Sequence, residues 1–139
     1  MDAGLGLIEQ QQGPGLGLNV MPPIEQAHQA LQLTPQERGL YERHLANLNG
    51  PGKVEHPDGS ISTLYQMSVT GPGNQIYNIP SVYNGKIVEP EKAMKYAEQQ
   101  GWHTFPSYPD EKTAEARYQQ MHQYFNQDVM NYLKQSQKK

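Results

Sequence analysis

The sequence predicts an α+β fold: a small antiparallel sheet of about three strands packed with three helices, preceded by an extended N-terminal arm. Three observations carry this expectation. Apolar residues recur at helical spacing in three stretches, β-forming residues alternate in the middle of the chain, and Gly, Pro and Gln dominate residues 1–33. The domain is expected over residues 34–139, with a long C-terminal helix.

The first helix starts at a sharp signal. Thr34-Pro35-Gln36-Glu37 puts Thr at the N-cap, Pro at the first helical position and Glu three residues after the cap, which is a capping box. Leu40, Tyr41, His44, Leu45 and Leu48 then share one face, and Asn49-Gly50-Pro51-Gly52 stops the helix, giving a span of 35–48. Pro57-Asp58-Gly59-Ser60 is a turn sequence leading into a strand over 61–69, with Ile61, Thr63, Tyr65, Met67 and Val69 on one face. Gly71-Pro72-Gly73-Asn74 reverses the chain into a second strand over 75–79, which Pro80 ends or confines to an edge. Asn84-Gly85 between β-formers predicts a hairpin over 82–87.

Glu89-Pro90-Glu91 opens a second helix, with acids in the first turn where the macrodipole favours them, and Gly101 ends it. Residues 102–109 form an aromatic loop. A last helix over 110–133 carries Ala114, Tyr118, Met121, Phe125, Val129 and Tyr132 as one apolar face. At roughly 35 Å it overshoots so small a domain, so its far end is expected to meet a partner.

The arm is rich in Gly, Pro and Gln and too poor in apolar surface to offset its conformational entropy alone. Yet Leu5, Leu7, Ile8, Leu16, Leu18, Val20, Met21 and Ile24 are more than a spacer needs. An extended peptide of alternating small and large residues suits a groove or a sheet edge, so these eight are the candidate interface residues. Within the arm, Pro23 to Leu33 could close a short helix with Ile24, Ala27, Ala30 and Leu31 on one face.

Composition narrows the function. The net charge is −3 and neither half carries the basic stripe that phosphate binding needs. The chain has no cysteine, so neither disulfides nor thiolate chemistry enter. No stretch approaches the ~20 apolar residues of a membrane span, and the start lacks the basic residues and continuous apolar run of a signal peptide. With nine Tyr against two Phe and one Trp, the core leans on a residue whose hydroxyl needs a partner.

No catalytic pattern emerges. His28, His44, His56, His103 and His122 show no metal-ligand spacing. The ordinary reading is packing for His44 and His122, and polar surface for His56 and His103. Capping and turn formation account for Glu37 and Asp58, and no GxSxG, P-loop or GxGxxG motif is present. The expectation is therefore a binding or assembly protein without cofactor or metal. Trp102, Phe105 and Tyr108 are a candidate binding surface, although alternation along the strands makes core packing the ordinary reading for the aromatic residues.

The run HPDGSISTLYQMSV, then IYNIPSVYNGKIVEPEKAMKYAEQQG, then FPSY before a helix with EARYQQMHQYF, resembles a domain recurring in tailed-bacteriophage virion proteins. The resemblance covers residues 34–130 and leaves the arm outside. It implies a virion-located structural protein at the head–tail junction, in the tail or among ejected proteins. Its partners would be portal, adaptor, tail or internal proteins, bound as multiple copies in a symmetric assembly. It transfers no catalytic residues. A cell-wall-binding accessory module using the aromatic loop is the alternative, and a small regulatory protein binding a host target is a third.

Overall fold

The computed structural model describes residues 21–137. Four helices and seven short strands follow in the order α1 (Pro23–Leu31), α2 (Pro35–Leu48), β1 (Val54–Glu55), β2 (Ile61–Ser62), β3 (Met67–Thr70), β4 (Ile76–Ile79), β5 (Val82–Tyr83), β6 (Lys86–Ile87), α3 (Pro90–Gln100), β7 (Ser107–Tyr108) and α4 (Glu111–Gln137). The α+β class holds, with α1 as a fourth helix.

Helix α2 begins where its capping box predicts: Glu37 N–H donates to Thr34 Oγ1 (3.1 Å) and Thr34 N–H donates to Glu37 Oε1 (3.0 Å). Helix α4 is capped by Asp110, whose Oδ1 accepts from Thr113 N–H at 2.7 Å. Helix α1 moves the domain boundary. Its Ala27, with Leu33 just beyond it, is buried among Leu40, Tyr41, Leu64, Met121 and Phe125. Residues 23–33, expected in the arm, thus belong to the domain, because their apolar face closes the core between α2 and α4.

The sheet is built differently from the expected one. β3, β4 and β7 form an antiparallel sheet with β4 in the centre, paired Met67↔Ile79 to Thr70↔Ile76 on one side and Ile76↔Tyr108 and Tyr77↔Ser107 on the other. β1–β2 and β5–β6 are separate hairpins. The third strand is thus supplied by the aromatic loop. Every residue of β4 is buried, because both faces are covered. Tyr77 and Ile79 pack with Ala93 and Ala97 of α3, while Ile76 packs with Ala114 of α4. Asn78 Nδ2 donates to the Ala114 carbonyl at 3.1 Å.

The strand expected over 61–69 breaks at Thr63–Gln66. Leu64 turns inward, and Tyr65 takes a left-handed φ of 46° and stands 59% exposed. Ser81 holds this kink in place, donating from N–H to the Leu64 carbonyl (2.8 Å) and from Oγ to the Tyr65 carbonyl. At the β5–β6 turn, Asn84 and Gly85 have φ values of 54° and 75°, the double left-handed turn that Asn-Gly favours.

Candidate functional site

The polar side chains with chemical potential gather in two buried constellations, both anchored on α2 and α4. The spacing of Glu37, Leu40, Tyr41, His44 and Leu48 places three ionisable groups (Glu37, Tyr41 and His44) on the inner face of α2, and all five residues are buried. On α4, Arg117 and Asp128 lie along the stripe that carries Ala114, Met121 and Phe125.

Glu37 is 1% exposed and is the hub of the first constellation. Arg117 clasps it with Nε to Oε2 (2.9 Å) and Nη2 to Oε1 (2.7 Å), and Tyr108 OH donates to Oε2 at 2.7 Å. Arg117 Nη2 also donates to the Leu31 carbonyl at 3.1 Å, one of the open carbonyls at the end of α1. Three elements, α2, α4 and β7, meet at this carboxylate, and Arg117 links α1 to them. Burial works to raise the Glu37 pKa, but Arg117, the Thr34 N–H and the Tyr108 hydroxyl outweigh it and hold it below the ordinary 4.5. Burial, and then the bond to Glu37, push the Tyr108 phenol well above its ordinary range.

The second constellation is a relay. Tyr41 OH donates to Asp128 Oδ2 at 2.6 Å, His44 Nε2 lies 3.1 Å from the same oxygen, and His44 Nδ1 lies 2.6 Å from Thr63 Oγ1. The imidazole packs against Phe125, with ring centroids 4.4 Å apart. Burial and the bond to Asp128 raise the Tyr41 phenol well above the ordinary range. Hydroxyl, imidazole and carboxylate in this order can move a proton in nucleophilic catalysis. Here, however, His44 is 0% exposed and Thr63 is 6% exposed. The relay faces inward and ties the end of β2 to α2 and α4.

The sequence-predicted binding surface is not brought together. Phe105 is buried in the core between α3 and the sheet, and Tyr108 is buried with its hydroxyl on Glu37. Trp102 is half-buried, edge-on to Tyr77 (5.0 Å), with Nε1 donating to Glu98 at 2.8 Å. Strand β7 and the turn before it fold these rings inward, which corrects the expectation of an aromatic platform. Of the arm residues, Leu5, Leu7, Ile8, Leu16, Leu18 and Val20 lie outside the described residues. Met21 is exposed, whereas Ile24 packs against the first core and is an internal contact.

Arg117, Asp128 and Thr63 escaped the sequence reading. A signal existed for two of them: Arg117 and Asp128 each lie three residues from an apolar-stripe position, after Ala114 and Phe125. His44 was expected to pack, and it does so as a hydrogen-bonded core residue.

The surface carries two further features. Tyr83 and Tyr96 stack at 4.2 Å with Arg43 over one ring and Lys92 over the other. Tyr65 stands between two clefts, one of ≈ 270 Å³ against Tyr118 and His122 and one of ≈ 340 Å³ against Met67, Ile87 and Val88.

Among the described residues, no cluster of three or more His, Asp or Glu could hold a metal ion, and no helix is long and apolar enough to cross a membrane. Comparison of the chain with protein-family models, curated proteins and solved structures finds no match.

Proposed function

We propose that this chain is a bacteriophage virion structural protein that docks on neighbouring subunits through the segment ahead of α1. The observation that carries the reading is what the residues of the phage-like motifs do in the fold. Asp58 Oδ1 accepts from Ser60 N–H (2.9 Å) and closes the β1–β2 turn. Thr63 binds His44, Ser81 pins the kink at Tyr65, Phe105 and Met121 fill the cores, and Arg117 clasps Glu37. The motif thus encodes a scaffold, and one of its charged residues, Arg117, ties α4 to α2. A scaffold with an apolar, glycine-spaced segment at its N-terminus suits an assembly role, with the domain as the body and the segment as the connector.

The test is a deletion of residues 1–20, which leaves α1 in place. The shortened protein keeps the circular dichroism and melting transition of the full chain but is missing from purified phage particles by mass spectrometry. Normal incorporation of the shortened protein, or absence of the full-length chain from particles, overturns the reading.

A further inference from the structure

Two of the arginines bind a carboxylate: Arg38 pairs with Glu25 and Arg117 with Glu37. Arg43 has no carboxylate partner among the described residues, yet its guanidinium is held in place. It lies over the Tyr83 ring, 5.2 Å from the centroid, and Nη2 donates to Gln100 Oε1 at 2.8 Å. Gln100 is oriented in turn. Its Nε2 donates to Thr104 Oγ1 (3.1 Å), and that hydroxyl donates to the Gly101 carbonyl (2.7 Å). Contacts from β5, α3 and the turn after α3 thus orient one cation on α2, and most of its N–H fork stays open among the described residues.

Arg43 lines a cleft of ≈ 320 Å³ with Gly39, Leu40, Gln100, Thr104 and Phe105, and it is the one charged residue in that lining. Leu40 and Phe105 are buried and give the cleft an apolar floor. Gly39 is the unexpected member. It sits exposed inside α2, one turn before Arg43 on the same face, where glycine is the poorest helix former after proline. Its φ is not left-handed, and a Cβ built there meets nothing within 4 Å. Neither backbone geometry nor packing within the fold therefore calls for a glycine. What the missing side chain does is leave the cleft open beside Arg43. Bare backbone next to an oriented guanidinium allows a ligand to approach closely.

We infer that this cleft binds a carboxylate joined to an apolar body, whether a small organic acid or the carboxyl end of a peptide with an apolar last residue. The carboxylate takes the open N–H groups of Arg43, whose planar fork matches its two oxygens, and the apolar body lies over Gly39 against Leu40 and Phe105. One cation suits a monoanion. A phosphate monoester, with about two negative charges, finds no second cation in the lining. The inference does not depend on the N-terminal segment, so its failure leaves the assembly reading standing.

The test titrates the ¹⁵N-labelled full-length chain with N-acetyl-leucine and follows the amide signals of Gly39 and Thr104 and the Nε–H signal of Arg43. Saturable shifts are expected at these positions. N-acetyl-leucinamide, which lacks the charge, should bind on the order of 10-fold or more weakly, and Arg43→Gln should weaken N-acetyl-leucine by a similar factor. Gly39→Leu should remove the shifts by filling the cleft. Gly39→Ala should raise the melting midpoint by a few degrees, because the helix gains a better former and the new methyl meets no atom. The peptide Ser-Gly-Ser-Gly-Leu with a free carboxyl end separates the two sources: binding as tight as that of N-acetyl-leucine assigns a chain end, and binding of N-acetyl-leucine alone assigns a free acid. The inference is overturned by no saturable shift with either probe, by equal binding of N-acetyl-leucinamide, or by unchanged binding in Arg43→Gln or Gly39→Leu. A lower melting midpoint for Gly39→Ala also overturns it, since the glycine then serves α2 itself.

Discussion

Arg117 meets Glu37 across 80 residues of sequence, with Nε on Oε2 at 2.9 Å and Nη2 on Oε1 at 2.7 Å. The pair is bidentate, and its carboxylate is fully enclosed while the guanidinium remains partly open to solvent. Removing the partner of a buried charge leaves that charge uncompensated, at a cost of about 3–5 kcal/mol. Arg117→Ala is therefore expected to destabilise the domain by about that amount in urea unfolding. An Arg117→Met/Glu37→Met double variant should recover only part of the loss, because it leaves no orphaned charge but takes the acceptor from the Tyr108 hydroxyl and the Thr34 N–H.

The same pair makes stability fall in acid. The folded pKa of Glu37 is depressed below 4.5, so its contribution is fully present above the unfolded value and is lost as the pH falls through the folded one. Thermal melting followed from pH 7 downward should hold its midpoint until about pH 4.5 and then drop. In Glu37→Gln this part of the acid limb should flatten, on a baseline that is lower throughout.

Tyr41 and Tyr108 give the opposite limb. Both phenols are raised above 10.0, by burial first and then by their bonds to Asp128 and Glu37. Their contribution is complete below the unfolded pKa and disappears as the pH rises through the folded value. An ultraviolet titration should show the last phenolates emerging only together with loss of the helical signal.

Asp128 accepts from Tyr41 and lies within bonding distance of His44, so its loss leaves buried polar groups without a partner. Asp128→Ala is expected to cost at least about 2 kcal/mol. Asp128→Asn, which keeps an acceptor oxygen, should cost less. If the two variants unfold at the same denaturant concentration, the relay contributes through packing alone.

The β5–β6 turn tests local geometry. Gly85 has a φ of 75°, and a Cβ there would stand 3.2 Å from the Pro51 carbonyl oxygen. Gly85→Ala should cost about 1–2 kcal/mol from the left-handed backbone alone. Asn84→Gly, with a φ of 54° to satisfy, should be close to neutral.

Helices were the most legible part of the chain. The capping box at Thr34, the proline at the start of α3 and the stripe on α4 each depend on residues close in sequence, and the structure places α2 and α3 where they predict. The sheet was less legible. β7 is two residues long inside an aromatic loop, and it becomes a strand because Tyr77 and Ile76 of β4 present an open edge to it. The kink at Tyr65 is set by Ser81, sixteen residues away, so alternation along 61–69 carried no sign of it.

The two polar constellations follow the same division. Local sequence alone determined that Glu37 caps α2 and that His44 lies on its inner face, because both follow from periodicity and a four-residue motif. That Glu37 would also receive Arg117 and Tyr108, that His44 would sit between Thr63 and Asp128, and that Phe105 and Tyr108 would be buried were decided only when α4 and β7 closed over α2. Helical periodicity and capping act within a few residues and can be read along the chain. A buried hydrogen bond needs two groups that only the packed elements bring together, and burial then enforces it because an unpartnered polar group there is costly.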